Sequence, residues 1–254
     1  MNMKNQIAAT VIVGLATVTF AGEPKVFMPV MPTYKVGEWN SLFNGKDFTG
    51  WGCRDYQTHA WKSPEGRWKV EDGTLRVIGE DLWTIGRFGD FELEVEFRHD
   101  PQDAGSEGNS GIFLRRDSDD WCHTSFEIQV LKSYDHNPPD KHDCGALYDC
   151  VAPAKNALTK RGEWQKYHIT FKGNLLTVLL NNEKIIDVNL DDWKEARKNP
   201  DGSPNKFRIA YKDMAKDGHI GLQCHCSPIM YRNIRIKPLT EPKPPVENPP
   251  ALAK

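Results

Sequence analysis

The stretch Phe91-Glu92-Leu93-Glu94-Val95-Glu96-Phe97-Arg98 alternates an apolar with a charged side chain at every step. Successive strand side chains point to opposite faces, so a period of two fits a strand with one greasy face and one wet face, and fits no helix. The greasy face needs a second layer to cover it. Shorter segments repeat the theme: Trp68-Lys69-Val70 and Leu75-Arg76-Val77 flank Glu71-Asp72-Gly73-Thr74, and Asp-Gly is a strong hairpin signal. Further strands are expected over 110–116, 125–131, 164–171, 174–180, 184–190, 206–211, 218–225 and 230–237, with Asn181-Asn182 as a tight turn. One helix is expected over 191–198, acidic at its start and basic at its end, stopping before Asn199-Pro200. Many short strands with almost no helix predict an all-β chain built as two packed antiparallel sheets.

A single long apolar run, Ile7 to Phe20, follows Lys4 and precedes Ala21. It is shorter than the roughly 20 residues a membrane-spanning helix needs, so residues 1–21 read as a signal peptide. The expectation is an exported, periplasmic or extracellular protein with no membrane insertion after cleavage. Residues 22–37 read as an extended arm, 38–238 as one sandwich domain, and 239–254 as a disordered Pro-rich tail. The chain has 254 residues and a formal net charge of -2, so no basic excess invites a nucleic acid or an anionic membrane. The hydrophobic content of 39% excludes disorder of the whole chain.

All six Cys lie after the leader: Cys53, Cys122, Cys144, Cys150, Cys224 and Cys226. An even count in an exported chain favours disulfides, with Cys144–Cys150 the readiest local pair. Cys224, His225 and Cys226 match none of the usual zinc spacings.

Assigning faces to strands exposes a second feature. In 125–131, Phe126, Ile128 and Val130 form the core set, so Glu127 and Gln129 face away. In 218–225, Ile220, Leu222 and Cys224 face the core, and His219, Gly221, Gln223 and His225 share the other side. In 109–116, Ser110, Ile112 and Leu114 point inward, which sends Asn109, Gly111, Phe113 and Arg115 outward. Three strands thus carry amides, a carboxylate, an imidazole and a guanidinium on their non-core faces, with Gly111 and Gly221 leaving room above the sheet. An ordinary solvated sheet face carries Lys, Thr and Glu. This one, if the strands are neighbours, makes a polar hollow suited to a sugar.

The usual chemistries fit poorly. A retaining glycosidase needs two carboxylates about 5 Å apart, and the run Glu127, Gln129, Leu131 offers one. There is no G-x-S-x-G and no Gly-rich phosphate loop. What remains suits proton transfer, with His225 as base, Glu127 as its partner carboxylate, and Arg115 and the amides as oxyanion donors.

The ordered motifs resemble the 3-keto-disaccharide hydrolase family, once a domain of unknown function, whose fold is a concanavalin A/laminarinase-like jelly roll. They run from Leu42-Phe43-Asn44-Gly45-Lys46 and Gly50-Trp51, through Asn109-Ser110-Gly111-Ile112-Phe113, Arg115 and Glu127-Ile128-Gln129, to His142 and Gly145-Ala146-Leu147-Tyr148. Gly162-Glu163-Trp164, Gly218-His219-Ile220-Gly221-Leu222-Gln223, His225 and Asn233-Ile234-Arg235-Ile236 complete the series. The chain departs from the family pattern at Cys224 and Cys226, where Asp and Gly are usual.

The resemblance implies a glycoside whose sugar carries a ketone at C3. His225 and Glu127 are then the catalytic pair, and Asn109, Arg115, Gln129, His142, Tyr148 and Gln223 the substrate-binding set. No cofactor is required by this reading. A divalent metal is an open alternative, with His142, Glu127 and Asp143 as conceivable ligands. Two rivals stay open beside it: a non-catalytic carbohydrate-binding sandwich, and an ordinary glycoside hydrolase whose second acid lies on another strand. Asp117, Asp119 and Asp120 form an acidic loop with the oxygen ligands for Ca²⁺, but one read more simply as a solvated turn.

Overall fold

The structure is a computed structural model that describes residues 27–55, 57–117 and 121–246. The expected leader, residues 22–26 of the expected arm, Asp119, Asp120 and the last residues of the expected tail lie outside the described residues. Two antiparallel sheets carry the fold. Along the chain the strands are β1 (Asn40–Ser41), β2 (Trp51–Arg54), β3 (Trp61–Lys62), β4 (Trp68–Glu71), β5 (Thr74–Val77), β6 (Leu82–Thr84) and β7 (Phe91–His99). They continue as β8 (Ser110–Arg116), β9 (Phe126–Val130), β10 (Gln165–Lys172), β11 (Leu175–Leu180), β12 (Glu183–Asn189), β13 (His219–Leu222) and β14 (Ile229–Pro238). One sheet runs β12-β11-β10-β7-β14-β5-β4, with β1 pairing β14. The other runs β3-β2-β6-β13-β8-β9.

The alternation that opened the argument holds. Phe91, Leu93, Val95 and Phe97 are fully buried between the sheets. Glu92, Glu94 and Glu96 form a ladder on the outer face with Lys237, Arg235 and Arg232 of β14. Phe126, Ile128, Val130, Ile112, Leu114, Ile220 and Leu222 supply the facing layer. Among the described residues, no helix is long and apolar enough to cross a membrane.

Three expectations of secondary structure fail, each for a local reason. The 191–198 helix is a single 3-10 turn, Leu190–Asp192, whose Asp191 N–H donates to the Asn189 side chain. Its sequence holds only Trp193 and Ala196 as apolar residues, too few for the stripe that anchors a helix. The 206–211 strand is a loop entering a second 3-10 turn, Tyr211–Asp213. The edge of β9 beside it is already taken: Gln129 N–H donates to Ala146 O at 3.0 Å and Tyr148 N–H to Glu127 O at 3.0 Å. The 218–225 strand stops at Leu222, because beyond it Cys224 N–H donates to the Asp81 carboxylate at 2.7 Å rather than to a neighbouring strand.

The start of the expected tail is paired rather than loose. Lys243 exchanges two backbone hydrogen bonds with Arg87, and Leu239 N–H donates to Asp90 O. The expected Cys144–Cys150 bridge is not formed, and both thiols are free. Each is occupied in its own pocket. Tyr167 OH donates to Gln129 O at 2.6 Å, which leaves its oxygen to accept from the Cys144 thiol at 3.3 Å. Cys150 lies against Tyr211. Burial pushes the Cys144 thiol up to about 11 and the Cys150 thiol up to about 12.

Candidate active site

Pairing register builds the site in rows across the six-stranded sheet. Gly111 of β8 lies opposite Gln129 of β9, and Gln223 N–H donates to Gly111 O from the other side. In the next row Phe113 lies opposite Glu127 and Gly221, and Gly221 lies opposite Trp83. The non-core side chains of these rows, together with two loops, enclose a cavity of about 220 Å³ lined by Asn109, Glu127, Gln129, Tyr148, Lys206, Gln223 and His225. Six of the eight residues singled out from the sequence therefore meet in one hollow.

The two glycines act differently. An added Cβ at Gly111 would sit 2.6 Å from Glu127 Oε1, so the bare backbone there is the floor over which the Glu127 carboxylate folds. At Gly221 the space is already filled. The Trp83 indole lies against it, 2.2 Å from where a Cβ would be. Trp83 stacks on Phe113 with ring centroids 5.5 Å apart. The room expected above Gly221 is thus an aromatic wall beside the cavity.

Glu127 is 3 % exposed. Burial pushes its carboxyl above the usual carboxylate range, against the opposing pull of Lys206, His225 and the Gln223 amide. Lys206 Nζ stands 3.3 Å from Glu127 Oε2. With its amide nitrogen toward Glu127, Gln223 is left with Oε1 buried and unpartnered. That oxygen lines a polar cavity and is an acceptor in want of a hydroxyl. Gln129 Oε1 accepts from Val130 N–H at 3.1 Å. His225 is exposed at the mouth, on the turn beyond β13, and Cys224 packs back toward the core as the strand phase requires. Ser110 also points inward, with Oγ 2.6 Å from Tyr231 OH.

Arg115 does not belong to the cavity. It is 1 % exposed with φ of 53°, and its guanidinium donates to Gly89 O, Gly173 O and Asp90 Oδ1 while lying 3.6 Å from the Phe171 ring centroid. Burial pulls it down to about 10. The physical cause is a bulge. The left-handed residue shifts the register between β13 and β8, so that His219 opposes Arg116 while Gly221 opposes Phe113. The alternation slips by one, and Arg116 takes the outward place, its guanidinium 4.6 Å from the Trp83 ring.

His142 is the second correction. It stands behind Tyr148, ring centroids 5.2 Å apart, and its Nε2 lies 3.3 Å from Asp149 Oδ1. It buttresses Tyr148 from outside the cavity. The conceivable metal set is likewise not gathered. Asp143 Oδ1 binds His136 Nδ1 at 2.5 Å, His142 is turned to Asp149, and among the described residues no three His, Cys, Asp or Glu side chains cluster as ligands.

Sequence reasoning missed Lys206. It rides a loop shaped by amides. Asn199 Oδ1 accepts from Trp193 Nε1 and Asn205 Nδ2, Asn205 Oδ1 accepts from Phe207 N–H, and Lys206 N–H donates to Asp149 Oδ2 at 2.7 Å. The sequence signal that could have found it is the pair Asn199 and Asn205 just before it.

Known proteins are similar to this chain in sequence and in fold. A 3-keto-disaccharide hydrolase of Bacteroides thetaiotaomicron is 27% identical over 236 residues, 78% of each chain. A crystal structure from Parabacteroides distasonis, of a protein assigned as a glycosyl hydrolase, is 30% identical with a TM-score of 0.67, covering 80% of this chain and 100% of that one. A second such structure from the same organism is 26% identical with a TM-score of 0.63, covering 80% and 94%. The family model described as the 3-keto-alpha-glucoside-1,2-lyase-like domain matches residues 38–237. That match takes in every strand of the sandwich but the last residue of β14, and the chain belongs to the 3-keto-alpha-glucoside-1,2-lyase-like family.

Proposed function

We propose that this protein is a carbohydrate-active enzyme that cleaves 3-keto-glycosides by proton abstraction, elimination and hydration. The observation that carries the reading is the composition of the cavity wall. It holds a buried carboxyl, an imidazole, a phenol and three amides, and among the described residues no second carboxylate lines it. Direct displacement at the anomeric carbon by an acid pair lacks its second acid there. A C3 ketone removes that need, because it acidifies the C2–H bond and makes the C1 substituent a β-leaving group.

His225 at the mouth takes the C2 proton, and the C–H pair forms the C2–C3 double bond of an enediolate. The pair then returns, C1–C2 becomes the double bond, and the C1–O bond breaks with its electrons on the leaving oxygen. Glu127, whose carboxyl burial pushes upward, gives that oxygen its proton. Water then adds at C1 with the now ionised Glu127 as base, and His225 returns a proton to C2. The sum is hydrolysis with no net redox change. Asn109, Gln129, Tyr148 and the orphaned Gln223 Oε1 are placed to hold sugar hydroxyls.

The test is turnover of 3-keto and unmodified disaccharides side by side. Cleavage of the keto sugar alone is expected, lost in His225→Ala and Glu127→Gln. Binding without turnover supports a carbohydrate-binding sandwich, and cleavage of unmodified sugars an ordinary glycosidase. Export is part of the same reading, and a mature N-terminus other than residue 22 would count against cleavage after Ala21.

A further inference from the structure

Proton abstraction at C2 leaves one negative charge on the C3 oxygen, and an efficient site meets such charge with a fixed donor or cation. The residue read from the sequence for that task, Arg115, is committed elsewhere, with its donors on Gly89, Asp90 and Gly173. Among the described residues lining the cavity, Lys206 is the one lysine or arginine. Its ammonium is held on several sides. Nζ lies 3.3 Å from Glu127 Oε2, 4.2 Å from the centroid of the Tyr148 ring and 5.5 Å from that of Phe207. Aromatic faces attract an ammonium without accepting a strong hydrogen bond from it. An ammonium carries three protons and no lone pair. With one directed at Glu127, others remain for a ligand in the cavity.

We propose that Lys206 is the electrophilic residue of this site: its ammonium donates to the C3 oxygen of the bound keto sugar and carries the enediolate charge, while Tyr148 and Phe207 keep it aimed inward. The inference rests on the keto-sugar reading above. No bond to Lys206 forms or breaks. The C2 proton goes to His225, the C–H pair moves toward the ketone, and the oxygen that gains the charge gains a shorter contact to Nζ. A lysine that served only as counter-ion to Glu127 would act through Glu127 alone, and that difference is measurable.

The experiment compares wild type with Lys206→Met and Lys206→Arg, alone and combined with Glu127→Gln. Each is assayed on a 3-keto-disaccharide and on the same substrate deuterated at C2, with thermal unfolding as the check on folding. Lys206→Met is expected to lower kcat by about 100-fold or more, the scale of losing one oxyanion donor, with KM changed only a few-fold. Its C2 isotope effect on kcat is expected to rise, and Lys206→Arg to recover part of the rate. In the Glu127→Gln background, where cleavage is lost, C2–H exchange into heavy water is the readout, and the slowing of that exchange by Lys206→Met is expected to persist. A Lys206→Met kcat within about five-fold of an active wild type would overturn the proposal, as would disappearance of its effect in the Glu127→Gln background. A wild type inert on the keto sugar would overturn the functional reading itself, and this proposal with it.

Discussion

Gly111→Ala is the perturbation that separates the site from the fold most cleanly. The backbone of Gly111 lies within strand β8 and is not among the positive-φ residues, so alanine brings no conformational strain. The new methyl would lie 2.6 Å from Glu127 Oε1, 3.1 Å from its Cγ and 3.3 Å from its Cδ, where ordinary contact begins near 3.4 Å. The carboxylate must therefore retreat by about 0.8 Å. Its backbone cannot follow, being paired in β9, so the retreat is a rotation off its rotamer costing about 0.5–1.5 kcal/mol. With some overpacking the total loss of stability is about 1–3 kcal/mol, or roughly 2–12 °C in midpoint for a domain of this size. A displacement near 1 Å of a catalytic group costs about 100-fold in rate. The assay pairs urea unfolding with kcat on a 3-keto-disaccharide. A Gly111→Ala protein that keeps full kcat would refute the placement of Glu127 at the reacting centre. One that fails to fold would refute the view that only a side chain must yield.

Arg115→Met removes a buried guanidinium from two carbonyls and Asp90, and is expected to cost about 3 kcal/mol or more. Normal stability with a large catalytic loss would return Arg115 to the site. The raised carboxyl of Glu127 makes its contribution to stability present at low pH and lost as pH rises through the folded value. The midpoint of Glu127→Gln should therefore gain on wild type between pH 4 and pH 8, and a flat or falling difference contradicts the burial argument. His99, with Nε2–H donating to Gly108 O and Nδ1 accepting from Tyr134 OH, is pulled down by burial to about 4. Its contribution is present above about pH 6.5 and lost toward pH 4, on the order of 3 kcal/mol. His99→Gln should flatten acid unfolding over that window, and an unchanged slope would exclude His99 as its source.

What could be read from the sequence follows how local each cause is. Alternation in 126–130 is a property of five consecutive residues, so it fixed the core face of Phe126 and Ile128 and the cavity face of Glu127 and Gln129. The same logic carried Asn109 and Gln223. It failed at Arg115 because a left-handed bulge there is carried by an arginine, with no Gly or Asn to announce it. Lys206 was hidden because its placement depends not only on the nearby Asn199 and Asn205 but on Asp149, 57 residues away in the chain. Trp83 reaches the wall beside the cavity from a three-residue strand too short for any period to register.

The central claim is that cleavage passes through a carbanion at C2. It is tested most directly by running the reaction on a 3-keto-disaccharide in heavy water and reading deuterium at C2 of the released keto sugar, against an enzyme-free control for spontaneous exchange. One deuteron at C2 is expected for each bond cleaved, and none with His225→Ala. Cleavage at full rate with the original C2 hydrogen retained would contradict it.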